Sequence, residues 1–417
     1  MKVLALIGCL TAIGIYPVSA QSDGPIAEKS PTMLKKHGDM RIDNYFWLKN
    51  KSDEKVLKHL KAENAYTESV MGDTKDFQEK LYQEMRARIQ EEDQSVPFKK
   101  DDYLYYRKTL KGQEYPIHCR KKNAPNSLEE VIVDVNVLGK GKDFIRVSSL
   151  AFHFNQDLLA YAVDLKGDRV FTIYFKEMST GKVLDQKIEN VTSNYVWAQS
   201  GKILFYAKHD PQTLRSDKIY KYDLEKNEST LVFEEKDEKF EAAVYKGLGK
   251  NFIFITSNST LSSEVRFIKS DKPHDQFKVI APREKNFEYS VLDGEDRFYV
   301  RTNWKAKNFR LMEVELKDVS KKKWKEVIAH RPDVLIEDFE VLRNHLVISE
   351  RSNGLTQINI LKRGEKKGSY INFPDPAYTV SLSENAEYDS KVVRYDFESM
   401  NRPSSVFDFD IEKKDIF

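Results

Sequence analysis

A nucleophilic serine of an α/β-hydrolase lies in a Gly-x-Ser-x-Gly turn, because small neighbours expose its hydroxyl at the end of a strand. The 417-residue chain contains no such run. The nearest approaches are Ser179-Thr180-Gly181 and Ser352-Asn353-Gly354, and in each a glutamate stands two residues before the serine. Both segments favour hairpin turns, so we predict no catalytic residue in this chain.

Histidine and cysteine spacing gives no metal site either. The eight histidines form no His-x-His or His-Glu-x-x-His pair: His37, His59, His118, His153, His209, His274, His330 and His345. His118 and Cys119 are adjacent, so on a strand their side chains point to opposite faces. We predict no metal and no cofactor, and we expect Cys119 to be a buried apolar residue.

Glycine and charge patterns exclude two further kinds of binding site. Gly139-Lys140-Gly141-Lys142 lacks the spacing of a phosphate-binding loop and the Ser or Thr that follows it, which favours a solvated loop. The carboxylates show no spacing that singles out a general acid–base pair. A net charge of +2 carries no basic field for nucleic acid, and we expect no nucleic-acid partner.

The first twenty residues have the composition of an export signal. Lys2 precedes an apolar run from Val3 to Ile15, and Val18-Ser19-Ala20 has the small residues of a cleavage site before Gln21. We expect cleavage after Ala20 and a periplasmic or secreted protein without a membrane anchor; an uncleaved anchor is the alternative. Cleavage would remove Cys9 and leave Cys119 without a disulfide partner.

Residues 41–92 show helical periodicity. Ser52 is a candidate N-cap, and apolar residues such as Val56 and Leu60 recur four apart until Gly72, which supplies a stop. A second helix is predicted to begin near Thr74, with an apolar stripe of Phe77, Leu81, Met85 and Ile89. We expect this apolar face to be covered by another part of the protein or by a partner.

From Asp101 onward the pattern alternates, as in strands, and an apolar strand followed by a turn and a second strand returns seven times. Equivalent points are Tyr106, Tyr161, Tyr206, Ile255, Val300, Ile348 and Tyr395, which are 55, 45, 49, 45, 48 and 47 residues apart. Propeller blades have repeats of roughly 40–50 residues. We therefore predict a mainly β fold, a seven-bladed β-propeller behind a short helical arm; an irregular β-sandwich is the alternative.

Residues Asp43 to Leu48 read Asp-Asn-Tyr-Phe-Trp-Leu. This segment resembles the Asp-Pro-Tyr-x-Trp-Leu segment of the prolyl oligopeptidase family of serine peptidases, in particular oligopeptidase B, with Asn44 in place of the proline. Further matches follow in the same order along the chain: 62–67, 88–89, 93–97, 105–107, 115–120, 129–136, 159–167, 204–206, 302–309, 350–355 and 394–403. The resemblance covers residues from about 30 to the end.

The resemblance implies a two-part peptidase in which the propeller filters short peptides for an α/β-hydrolase domain that carries Ser, Asp and His. We expect a signal peptide at 1–20, an arm at 21–97, the propeller at 98–412 and the start of a linker at 413–417, with the hydrolase domain absent from this sequence. The chain alone is then expected to be inactive. Its expected partners are short peptides and a separately encoded hydrolase domain; the alternative is an exported propeller that binds peptides or a protein without catalysis.

Overall fold

The computed structural model describes residues 24–416, and the predicted export signal lies outside them. The chain forms two compact units, divided between Gln90 and Glu91. Within residues 24–416, none of the helices combines the length and the hydropathy needed to cross a lipid bilayer.

The first unit is a hairpin followed by helices. Its elements are strands β1 (Thr32–Lys36) and β2 (Asp39–Asp43), 3-10 turns at Phe46–Lys49 and Gly72–Thr74, and helices α1 (Glu54–Met71) and α2 (Lys75–Ala87). Helix was predicted from residue 41, which is wrong for β2: His37 and Gly38 both have positive φ and form the tight turn that pairs β1 with β2.

The helix ends differ in detail from the prediction. The N-cap of α1 is Asp53 rather than Ser52, because the Asp53 carboxylate accepts the backbone N–H of Lys55 at 2.9 Å. Gly72 is right-handed and leads into the 3-10 turn before α2, so it does not act as a left-handed stop. The apolar side chains of Phe77, Leu81 and Met85 on α2 are exposed.

The second unit consists of seven consecutive antiparallel sheets, which confirms the predicted seven-bladed propeller. Blade 1 contains β3 (Asp93–Gln94), β4 (Phe98–Lys100), β5 (Tyr103–Thr109), β6 (Ile117–Lys122) and β7 (Glu129–Asp134), and is followed by helix α3 (Val135–Gly139). Blade 2 contains β8 (Arg146–Phe152), β9 (Leu158–Asp164), β10 (Phe171–Glu177) and β11 (Val183–Val191). Blade 3 contains β12 (Tyr195–Trp197), β13 (Ile203–His209), β14 (Ser216–Asp223) and β15 (Glu228–Glu234).

The remaining blades repeat the same order of four strands. Blade 4 contains β16 (Glu241–Tyr245), β17 (Phe252–Asn258), β18 (Ser263–Lys269) and β19 (Lys278–Ala281). Blade 5 contains β20 (Tyr289–Gly294), β21 (Arg297–Thr302), β22 (Arg310–Glu315) and β23 (Lys325–Ile328). Blade 6 contains β24 (Val334–Val341), β25 (His345–Ser352), β26 (Leu355–Lys362) and β27 (Ser369–Tyr370). Blade 7 contains β28 (Tyr378–Leu382), β29 (Val392–Ser399), β30 (Arg402–Asp410) and β31 (Asp415–Ile416).

The repeating apolar strand seen in the sequence is the second strand of each blade, not the first. Its seven equivalent residues, from Tyr106 to Tyr395, are all buried. A second strand has neighbours on both edges and blades on both faces, so every side chain of β9 is buried. The first strands are more polar because they line the central channel, and the alternation predicted from apolar residues overlooked them.

The limits of the propeller also differ from the predicted 98–412. Asp93 and Gln94 of β3 pair with Thr109 and Lys108, so blade 1 begins before Pro97. Strands β3 and β4 are two pieces of one inner strand, with Pro97 between them, since proline cannot donate to the ladder. At the other end, β31 pairs with β30, so the last blade extends to Ile416.

Six hydrophobic clusters join neighbouring blades, from the pair of blades 1 and 2 to the pair of blades 6 and 7. Among the described residues, no comparable cluster joins blade 7 to blade 1. This seam holds a cavity of about 500 Å³ instead. Polar contacts cross it: Arg394 donates to the Pro97 carbonyl at 2.8 Å, and the Lys99 ammonium lies 2.9 Å from Glu387.

Candidate functional site

The serine and cysteine residues that were candidates for chemistry lie in turns or in the core. Ser179 and Gly181 lie in the turn between β10 and β11, and Ser352 leads into the turn between β25 and β26, as predicted. Cys119 is fully buried on β6, and burial raises the pKa of its thiol to about 11, which keeps it protonated at neutral pH. Gly139 is the last residue of helix α3, so the solvated loop predicted for residues 139–142 begins only at Lys140. Among residues 24–416, no group of three or more His, Cys, Asp or Glu side chains could hold a metal ion.

Charged side chains collect where the first strands of the blades end. Each blade repeats one antiparallel order, so all first strands run the same way and their carboxyl ends meet at one end of the central channel. At these ends stand Lys100, Lys246, Asp293, Glu340 and Glu384, from blades 1, 4, 5, 6 and 7. Together with Asp101 and Lys250 from the adjoining turns, we call these seven residues the charged mouth.

Asp101 connects four blades at the charged mouth. Its Oδ1 accepts from the Nζ of Lys250 at 2.6 Å, and its Oδ2 accepts from the Nε2 of Gln156 at 2.6 Å. Its backbone N–H donates to Glu387 Oε1 at 2.6 Å. Lys250 belongs to blade 4 and Gln156 to blade 2, while Glu387 belongs to blade 7. Blades 1 and 4 are not neighbours in a ring of seven, so the Asp101–Lys250 ion pair crosses the channel.

The backbone aims these side chains toward each other. Asp101, Gln156 and Lys250 all have left-handed φ angles, of 54°, 61° and 60°. Aspartate tolerates this region, but for lysine and glutamine it costs of order 1 kcal/mol each. Three such turns at equivalent places, between the first and second strands of their blades, direct polar side chains across the mouth.

Lysines of blades 1 and 4 meet at the charged mouth. The Nζ of Lys246 donates to the Trp197 carbonyl at 2.9 Å, and the Lys100 side chain has no hydrogen-bond or ion-pair partner within residues 24–416. Burial, reinforced by the nearby Lys250 and Lys100 charges, lowers the pKa of Lys246 to about 8. Burial and Lys250 also lower the pKa of Lys100, against the opposing effect of Asp101, Glu384 and Glu387.

Asp293 positions the loop that carries Lys246 and Lys250. Its carboxylate is fully buried, and Oδ2 accepts the backbone N–H of Asn251 at 3.3 Å. Oδ1 has no hydrogen-bond partner among the described residues, and burial raises the pKa of this carboxyl group. A Cβ on Gly247 would lie 2.0 Å from Oδ1, so this close approach requires glycine.

Gly247→Ala is therefore expected to displace the loop and to lower the free energy of unfolding by about 1–3 kcal/mol, the usual cost of overpacking. Urea unfolding of the two proteins measures the change. Gly364→Ala is a comparison at a glycine whose Cβ would meet no atom within 4 Å, although its φ of 87° adds backbone strain. A loss in Gly247→Ala no greater than that strain predicts would contradict the steric argument.

Blades 6 and 7 contribute carboxylates to the charged mouth. Burial, then the Asp338 and Glu384 charges, raise the pKa of Glu340 to about 7. The Oε2 atom of Glu340 is buried without a hydrogen-bond partner among the described residues. The mouth therefore combines lysines of blades 1 and 4 with carboxylates of blades 6 and 7, and Glu384 of blade 7 acts on Lys100 of the adjoining blade 1.

The seam cavity adjoins the charged mouth. Its wall includes five charged residues: Lys100, Arg107, Glu384, Arg394 and Asp396. About half of the wall is apolar or aromatic: Val96, Phe98, Tyr105, Tyr106, Ile132, Leu150, Phe152 and Val406. A pocket lined by apolar and charged groups suits an amphipathic small ligand. The sequence did not predict the charged mouth as a site, because nothing in the spacing of its residues distinguishes them among the 134 Lys, Arg, Asp and Glu residues of the chain.

Comparisons with known proteins agree on one family. The sequence profile described as "Prolyl oligopeptidase, N-terminal beta-propeller domain" matches residues 25–416. The chain is 35% identical to dipeptidyl aminopeptidase BI of Pseudoxanthomonas mexicana over 98% of this chain and 60% of that protein. It is 31% identical to protease 2 of Moraxella lacunata over 93% of this chain and 57% of that protein.

Among solved structures, oligopeptidase B from Leishmania major superposes with a TM-score of 0.88 at 29% identity, over 95% of this chain and 60% of that one. The chain thus spans about three-fifths of the length of these relatives, and the part it matches is the propeller. The chain belongs to the prolyl oligopeptidase family and corresponds to the N-terminal β-propeller domain of that family.

Proposed function

We propose that this propeller admits short peptides to an α/β-hydrolase domain and excludes folded proteins. The observation that carries the proposal is the Asp101–Lys250 ion pair, which lies across one end of the channel. A folded domain cannot pass through an opening that is bridged by two side chains. An extended peptide can pass once this single ion pair separates. The family relationship supports a peptide as the ligand.

The catalytic partner belongs to the same proposal. Activity on peptides would come from a hydrolase domain that carries the serine nucleophile, its base and its oxyanion hole, since this sequence contains no Gly-x-Ser-x-Gly run. The propeller's contribution is then selection by size and charge before a peptide reaches the serine. Export to the periplasm, proposed from residues 1–20, would supply extracytoplasmic peptides as substrates.

Peptide binding to the purified chain tests the filter. A fluorescent hexapeptide, acetylated and amidated so that it has no terminal charge, is expected to bind, while the same six residues in a surface loop of a folded carrier protein are not. Stopped-flow fluorescence gives the association rate. Asp101→Asn is expected to raise this rate about two- to fivefold, the equivalent of the ~0.5–1 kcal/mol contributed by a partly exposed ion pair.

Asp333→Asn is the matched control, because Asp333 lies exposed in the connection between β23 and β24. Its association rate is expected to equal that of the wild type. Equal binding of the peptide and the folded carrier would reject the size filter. Failure of the blocked peptide to bind at all would reject the proposed function.

A further inference from the structure

We infer that Lys100, Lys246 and Lys250 form a site for the free α-carboxylate of a short peptide, whose apolar C-terminal side chain occupies the seam cavity. The inference rests on the proposed function, because it takes a peptide as the ligand. It adds which end of the peptide the propeller recognises and which class of terminal residue it selects.

The first step is the meeting of three ammonium groups. The 2.6 Å contact between Lys250 and Asp101 joins the end of β4, where Lys100 is the last residue, to the end of β16, which Lys246 follows directly. Only Lys250 has a carboxylate partner among the described residues. Lys246 uses one of its three donors on the Trp197 carbonyl.

The second step is that, among the described residues, no carboxylate is in hydrogen-bond or ion-pair contact with Lys100 or Lys246. Asp101 is occupied by Lys250 and Gln156, and Glu387 by Lys99 and the backbone N–H of Asp101. Asp293 accepts from the loop backbone, and its charge also acts on Lys246, to which it is not hydrogen-bonded. Glu384 faces Lys100 but also lies near Glu340.

Partly buried ammonium groups that lack a hydrogen-bonded carboxylate are unfavourable, so a carboxylate that binds to Lys100 and Lys246 stabilises them. A carboxylate fits best, since Asp101 already shows a carboxylate accepting a lysine N–H here at 2.6 Å. With a pKa of about 8, Lys246 remains mainly charged at pH 7 and can donate to it.

The third step is the neighbouring cavity. Lys100 belongs both to the charged mouth and to the wall of the 500 Å³ seam cavity. A carboxylate held by Lys100 therefore places its attached side chain beside Phe98, Tyr105 and Phe152, which are part of that wall. An aromatic or large aliphatic C-terminal residue matches this lining, whereas glycine would leave it unfilled.

Titration calorimetry with three peptides and one competing anion tests the site. The probes are an acetylated hexapeptide ending in phenylalanine as the free acid, its C-terminal amide, the free acid ending in glycine, and inorganic phosphate as a competitor. The phenylalanine acid is expected to bind about tenfold or more tighter than the amide at pH 7, as charge-assisted hydrogen bonds contribute. It is also expected to bind tighter than the glycine acid.

Single substitutions test which lysines bind the peptide carboxylate. Lys246→Met and Lys100→Met lie on different blades, and each is expected to reduce the affinity for the acid to that for the amide. Lys239→Met, the same change at an exposed position, is expected to leave both unchanged. Raising the pH from 7 to 9 deprotonates Lys246, because its pKa is about 8. This change is expected to weaken binding of the free acid but not of the amide. Thermal unfolding checks that each variant is folded.

The outcomes separate this inference from the proposed function. Equal affinity for acid and amide, or full affinity in both lysine variants, would overturn the carboxylate site while leaving peptide binding intact. Phosphate that displaces the peptide at equal or lower concentration would show a general anion site and overturn the peptide assignment. If neither acid nor amide binds, both proposals fail.

Discussion

Replacing Phe298 with alanine is expected to lower the free energy of unfolding by about 3–5 kcal/mol, the usual cost of removing a buried phenylalanine. The Phe298 ring on β21 is fully buried between blades 4 and 5. Its centroid lies 4.9 Å from that of Phe252 and 5.5 Å from that of Phe254, both edge to face. The substitution removes these aromatic contacts and leaves a cavity that rigid neighbouring strands cannot fill.

Urea unfolding followed by tryptophan fluorescence measures this loss. Phe154→Ala is the matched control, since Phe154 is more than half exposed in the turn between β8 and β9, and a change within about 0.5 kcal/mol is expected. Similar losses in the two variants would mean that blades 4 and 5 are not held together by this cluster.

Glu340→Gln is expected to stabilise the propeller at pH 8 by about 1–3 kcal/mol, the linkage value of a pKa raised from 4.5 to about 7, reduced because the group is not fully buried. Between these pH values the folded protein holds a proton that the unfolded chain has lost. The wild type therefore loses stability as the pH rises from about 4.5 to about 7. Glutamine cannot ionise, so its stability is expected to stay level across this window.

Chemical denaturation at intervals between pH 4.5 and 8 gives the two curves. Glu398→Gln on β29 is the control, because Glu398 is exposed, and it should follow the wild-type curve. If Glu340→Gln keeps the wild-type pH dependence, the Glu340 carboxylate is solvated and not desolvated as inferred.

The helical arm shows where local signals were sufficient and where they failed. The periodicity that predicted two helices is present in α1 and α2, because an amphipathic spacing of four is a property of a short segment. The hairpin of β1 and β2 was missed, since a strand at 39–43 depends on pairing with 32–36 rather than on its own composition. The N-cap differed by one residue because serine and aspartate are both capable caps.

The sequence by itself determined the fold class, the seven blades and the family. Each blade requires one strand that is buried on both faces and both edges, and the apolar run this demands is local enough to be counted from Tyr106 to Tyr395. The tertiary structure alone decided that these runs are second strands and that blades 7 and 1 meet at a cavity. It alone also formed the charged mouth: Asp101 and Lys250 are 149 residues apart, and only closure of the ring brings them to 2.6 Å. Charged residues at strand ends look like ordinary surface in a sequence, because their desolvation depends on which other strands end beside them.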